Sequence, residues 1–164
     1  MLMSFFKTFA GLALITALSS TALAEGLVTQ KNISLAMAQT IAQAALAQCE
    51  SMGFKVSVAV LDRSGLTIVT LRGDGAGLHT PEGAERKAYT ARTFSQPSAD
   101  FVKRLSDRPD TVGSRQYTRV LALGGGLPIK AGNEVVGAVG VSGSPGKDDV
   151  CSQAGIDKVA DQLK

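Results

Sequence analysis

The sequence predicts an α+β domain in which helices cover a five-stranded, mostly antiparallel sheet. Three observations lead there. Helix-like and strand-like stretches follow one another in the order α-β-β-α-α-β-β-β-α. The strand-like stretches are joined by turns too short for a parallel crossover. The apolar content is mostly small and aliphatic, with no Trp, two Tyr and eighteen Gly in 164 residues, so helices and sheet can approach closely.

The N-terminal segment is set apart from this domain. Lys7 precedes an apolar run from Thr8 to Leu18, and Ala22-Leu23-Ala24 supplies a small-x-small cleavage pattern. The run is shorter than the roughly 20 residues that span a bilayer. Residues 1–24 are therefore expected to be a secretory signal peptide. Residues 25–164 are expected to form one domain, periplasmic or secreted, with no membrane span once the signal is removed. The alternative, a short membrane anchor, finds no stop-transfer pattern to support it.

Ser34 to Gln48 reads as the first helix, with Ser34 as N-cap, Gly53 after its end, and Leu35, Ala38, Ile41, Ala42, Ala45, Leu46 and Cys49 on one apolar face. Lys55–Leu61 alternates as a strand, Val56, Val58 and Val60 on one side and Ser57, Ala59 and Leu61 on the other. Asp62-Arg63-Ser64-Gly65 turns the chain into a second strand, Leu66–Arg72. A glycine-rich loop around Asp74 leads to a helix opened by Thr80 as cap and Pro81 at the first helical position. Its face of Ala84, Ala88 and Ala91 is narrow, so a neighbour must pack closely on it. Ser98 is expected to cap a further helix over Ala99–Ser106, stopped at Arg108-Pro109. Residues Thr111–Thr118 read as irregular. Three short strands are expected at Arg119–Leu123, Leu127–Lys130 and Glu134–Val141, with a turn at Ala131-Gly132-Asn133. Asp148 and Asp149 open the last helix, whose stripe of Cys151, Gly155, Val159 and Leu163 suits it to lie beside the first.

Cys49 and Cys151 are the two cysteines. In an oxidising compartment an even number favours a disulfide. Closing a loop of about 100 residues contributes about 4–5 kcal/mol in the chain-entropy account. Two cysteines are too few for a cysteine-based zinc site.

Four motifs, in order, carry a family resemblance. They are Val58-Ala59-Val60-Leu61-Asp62-Arg63-Ser64-Gly65; Asp74-Gly75-Ala76 followed by Arg86-Lys87-Ala88-Tyr89-Thr90-Ala91; Leu123-Gly124-Gly125-Gly126-Leu127-Pro128-Ile129; and Val136-Gly137-Ala138-Val139-Gly140-Val141-Ser142-Gly143. Together they resemble the GlcG/HbpS family of heme-binding and heme-degrading-type domains, also found at the C-terminus of PduO. The resemblance runs from Ser34 to the final helix. It implies a profilin-like fold, a homo-oligomer, and heme or another tetrapyrrole as the ligand, stored, buffered or sensed. Two rival functions stand beside it. One is an enzyme acting on heme or on a small 2-hydroxy or 2-oxo acid. The other is a non-catalytic interaction module for an exported sensor.

The ligand-binding candidates are His79, Lys87, Asp74, Thr80, Arg92 and Tyr117. His79, the only histidine, is either an axial ligand for heme iron or an exposed loop residue. Lys87, on a face otherwise of alanine, either anchors a propionate or small acid or pairs with a carboxylate such as Asp74. Tyr117 offers an oxygen ligand. Between Arg86 and Arg119 eight basic residues meet three acidic ones, a surface that either draws anions or is simply solvated. Gly124-Gly125-Gly126 is followed by an extended Leu127-Pro128-Ile129 rather than a helix, which opposes a phosphate loop and favours close backbone approach. The sequence shows no Ser-His-Asp order, no Cys-His pair, no dense carboxylate cluster and no nucleic-acid motif.

Overall fold

The computed structural model describes residues 26–164; the expected signal peptide lies outside the described residues. The first helix, α1 (Leu35–Ser51), begins where Ser34 accepts a hydrogen bond from the Met37 amide, and Gly53 follows it at φ +81°. Ala38, Ile41, Ala42, Ala45 and Cys49 form its buried face, whereas Leu35, expected on that face, is exposed in the first turn. Strands β1 (Ser57–Asp62) and β2 (Thr67–Arg72) form the expected hairpin. Its turn is closed by the Gly65 amide on the Asp62 carbonyl, with Gly65 at φ +78°. Helices α2 (Thr80–Phe94) and α3 (Ser98–Asp107) follow, then a 3₁₀ helix over Pro109–Gln116 where irregular chain was expected. Strands β3 (Gly126–Ala131) and β4 (Glu134–Ser142) and helix α4 (Asp148–Asp157) complete the domain.

The sheet has four strands, not five, in the order β2-β1-β4-β3, and every pair is antiparallel. The missing strand is Arg119–Leu123. Its backbone is held by side chains of α2 instead of a neighbouring strand. The Leu121 amide donates to Thr90 Oγ1, Thr90 Oγ1 donates back towards the Leu121 carbonyl, and Arg86 donates to the Val120 carbonyl. Turns at both ends, with the Val120 amide on the Tyr117 carbonyl and the Leu123 amide on the Leu121 carbonyl, keep the segment out of the sheet, so periodicity alone misassigned it.

Each face of the sheet has its own core. Val56, Val58, Val60, Val139, Val141 and Ile129 pack with α1 and with Cys151 of α4. Ala59, Leu61 and Ala138 pack with Ala84, Ala88 and Ala91 of α2. The alternation read for β1 thus sorts its side chains between two cores. The terminal helices are neighbours, as expected: Gly155 of α4 lies against the Ile41 carbonyl and Ala45 of α1. The Cys49–Cys151 disulfide joins them, with Cα atoms 5.5 Å apart.

The α2 side of the sheet is made of glycine and alanine because the helix backbone comes down on it. A methyl on Gly126 would collide with the Lys87 carbonyl, and one on Gly140 with the Ala84 carbonyl. The glycine triplet therefore serves close approach. We expect Gly140→Ala to cost about 3 kcal/mol in urea unfolding, since neither backbone can yield cheaply. Gly113→Ala, which meets nothing within 4 Å, should change stability by less than about 0.5 kcal/mol. Equal effects of the two substitutions would refute this account of the contact.

Candidate functional site

The close seating of α2 fixes Lys87 between the sheet and α4. Its side chain is surrounded by apolar groups and buried, with the whole residue 4% exposed. A buried ammonium needs a counter-charge, and Lys87 Nζ donates to Asp148 Oδ2 at 2.7 Å and to the Val141 carbonyl at 3.2 Å. Lys87 therefore pairs with Asp148, not with Asp74, which is exposed in the loop before α2. The other oxygen of Asp148 accepts from the amide and the hydroxyl of Ser144 at 2.9 and 2.7 Å. Ser144 Oγ, whose hydrogen is given to Asp148, also lies 3.2 Å from Cys49 Sγ, so the buried polar group abuts the disulfide. Next to it, Asp149 Oδ1 accepts from the Gly125 amide at 2.8 Å.

Lys87, Asp148 and Asp149 line a cavity of about 410 Å³. His79, Leu123, Gly124, Ser142 and Pro145 line it as well. Its walls are the loop before β3, the glycine-containing loop after β4, and the starts of α2 and α4. His79 is exposed at the head of α2, where it occupies the cap position without a side-chain cap bond. A second, more open groove of about 530 Å³ runs along α4, past Leu127, Val150 and Ala154, with Asp149 at its boundary with the first.

Of the candidates read from the sequence, His79 and Lys87 meet at the cavity. Thr80 is adjacent but buried. Its hydroxyl lies 2.7 Å from Ser57 Oγ and donates to the Gly77 carbonyl, so it braces the loop and does not cap the helix as expected. Ser98 departs from its expected cap role in the same way: it is the first residue of α3 and accepts from the Gly126 amide at 2.9 Å. Arg92 lies beyond the cavity on α2, where its guanidinium donates to the Arg63 carbonyl. Tyr117 is exposed after the 3₁₀ helix and does not line the cavity.

Much of the basic stretch is already engaged. Arg86 pairs with Glu82, Arg119 pairs with Glu85 and lies over the Tyr89 ring, and Arg104 stacks on Phe94 and Phe101. On the 3₁₀ helix, the hydrogen bond from Arg108 holds the Asp110 carboxyl below its usual range, away from the cavity. Sequence reasoning missed Ser142 as a site residue, and read Asp148 and Asp149 most simply as a helix start, with a surface iron site conceivable but unsupported by their spacing. An unpaired lysine in an alanine face was the available signal that a carboxylate had to be near.

Among the described residues no group of three or more His, Cys, Asp or Glu side chains could cage a metal ion. No described helix is long and apolar enough to cross a membrane.

Replacing Lys87 with Met should leave Asp148 buried without its counter-charge and cost about 3–5 kcal/mol in chemical unfolding. The Lys87→Met, Asp148→Leu double variant should recover a large part of that loss. Strict additivity of the two single changes would show that the pair is not coupled.

Comparison with known proteins matches residues 33–157 to the family described as "Haem degrading protein HbpS-like". A double mutant of HbpS from Streptomyces reticuli is 37% identical, with a TM-score of 0.77 over 87% of this chain and 97% of its own. An uncharacterized 15.0 kDa protein of Citrobacter freundii, from the dhaT-dhaS intergenic region, is 32% identical over 71% of this chain and 84% of its own. A PduOC:heme complex shares the fold at 24% identity, with a TM-score of 0.70 over 77% of this chain and 94% of its own.

Proposed function

The chain belongs to the HbpS-like family, and on that premise we propose that it is an exported protein that binds heme or a related tetrapyrrole. It stores, buffers or senses that ligand as a homo-oligomer. The observation that carries the reading is the cavity at the head of α2, which the chain's one imidazole helps to line. Heme-related binding is supported by the family and by the heme complex of PduOC, which shares the fold.

The residues present suit such a ligand. A volume of about 410 Å³ lies within the range of small-molecule sites. Leu123 and Pro145 offer apolar contact, and the glycine-containing walls let backbone approach a flat ring closely. His79 carries a nitrogen able to bind heme iron, and its exposure leaves it free to turn. Heme, when bound, would supply an iron centre open to axial ligation. The chain's own residues orient the ring and shield one edge from water. A cavity of this volume would enclose only part of a macrocycle, and a second copy of the chain would be suited to cover the remainder.

A visible-spectrum titration of the protein with hemin tests the reading. The expected result is a saturable Soret shift at stoichiometric ratio that is changed or lost in His79→Ala. A shift identical in the variant would remove His79 from the iron. The lack of any saturable shift would defeat the heme reading.

A further inference from the structure

Ser142, the last residue of β4, is 7% exposed as a residue, and its hydroxyl, which keeps contact with solvent, makes no hydrogen bond among the described residues. It lines the cavity. It sits so near the first turn of α2 that a methyl on Gly83 would lie 2.7 Å from Ser142 Oγ. A hydroxyl with no protein partner on a cavity wall is free to bond whatever enters the cavity. Lys87, on the same cavity, presents the second unspent group. Its ammonium has three N–H bonds, and the Asp148 carboxylate and the Val141 carbonyl take two.

The field at this point adds to the donors. Helices α2 and α4 both begin at the cavity, and neither cap residue, His79 or Lys147, satisfies its helix with a side-chain bond. Two helix N-termini place positive partial charge there. Asp148 is neutralised by Lys87. Asp149 is the one opposing charge; its Oδ1 is held by the Gly125 amide, and the residue borders both grooves.

We propose that Ser142 and Lys87 form a seat for a carboxylate of the ligand, with the Ser142 hydroxyl and the third N–H of Lys87 donating to it. The proposal rests on the cavity being the binding site. The carboxylate is either a heme propionate or that of a free small acid.

The test compares hemin, hemin dimethyl ester and glycolate, each titrated into the protein and into Ser142→Ala. Retained thermal unfolding shows that the variant is folded. With a propionate as source, hemin should bind about tenfold more tightly than its ester, and Ser142→Ala should abolish that preference. With a free acid as source, hemin should not bind. Glycolate should then shift the amide resonances of Ser142 and Gly143 in the protein but not in the variant. That outcome keeps the carboxylate seat while defeating the heme reading. Asp149→Asn should tighten whichever carboxylate probe binds, by removing the opposing charge. Equal affinity for hemin and its ester without a glycolate response, a preference unchanged in Ser142→Ala, or no response to any probe overturns the proposal.

Discussion

The contact between α2 and the sheet is the constraint on which the rest of the molecule depends. Gly126 and Gly140 let the carbonyls of Lys87 and Ala84 descend to a distance at which a methyl does not fit. At that distance the alanine face of the helix packs on Ala59 and Leu61 of β1 and Ala138 of β4. The same seating determines what Lys87 can do. A longer helix–sheet spacing would let its ammonium swing into water. Here it is trapped against α4, and a carboxylate must be there to meet it.

Asp148 answers that requirement and then passes it on. Its two oxygens face different partners, Lys87 on one side and Ser144 on the other. Ser144 in turn touches Cys49, which is bonded to Cys151 of the helix that carries Asp148. The start of α4 is thus held from both ends by buried groups. An ion pair of this kind adds little net stability over an apolar pair of the same shape. Its value lies in position, because it gives the cavity a rigid polar floor while the loops around it remain glycine-containing.

Most of the architecture was legible because it follows from period and spacing. The alternation of β1, the Ser34 cap, the Gly65 turn and the pairing of the terminal helices all depend on local chemistry or on a two-sided apolar pattern. What escaped is what depends on distant partners. Arg119–Leu123 has the composition of a strand, and only the Thr90 hydroxyl and the Arg86 guanidinium show that its backbone is satisfied by a helix. Thr80 and Ser98 look like caps, but each hydroxyl is drawn to a group far away in sequence or in the preceding loop. The site was half legible: His79 and Lys87 stood out by rarity and by setting. Ser142 did not, since a serine at the end of a valine-rich strand gives no sign of its burial or of its lack of a partner.

The bond between Cys49 and Cys151 spans a sequence separation of 102, and this bears on how the chain is made. During synthesis the first helix emerges with an unpaired thiol long before its partner exists. Through that interval the chain cannot depend on the crosslink, and Cys49 is open to any other disulfide-forming thiol it meets. The core of small aliphatic side chains must bring α1 and α4 together before the bond can close. The disulfide then records that the two ends have found each other, and fixes an arrangement that packing has already chosen.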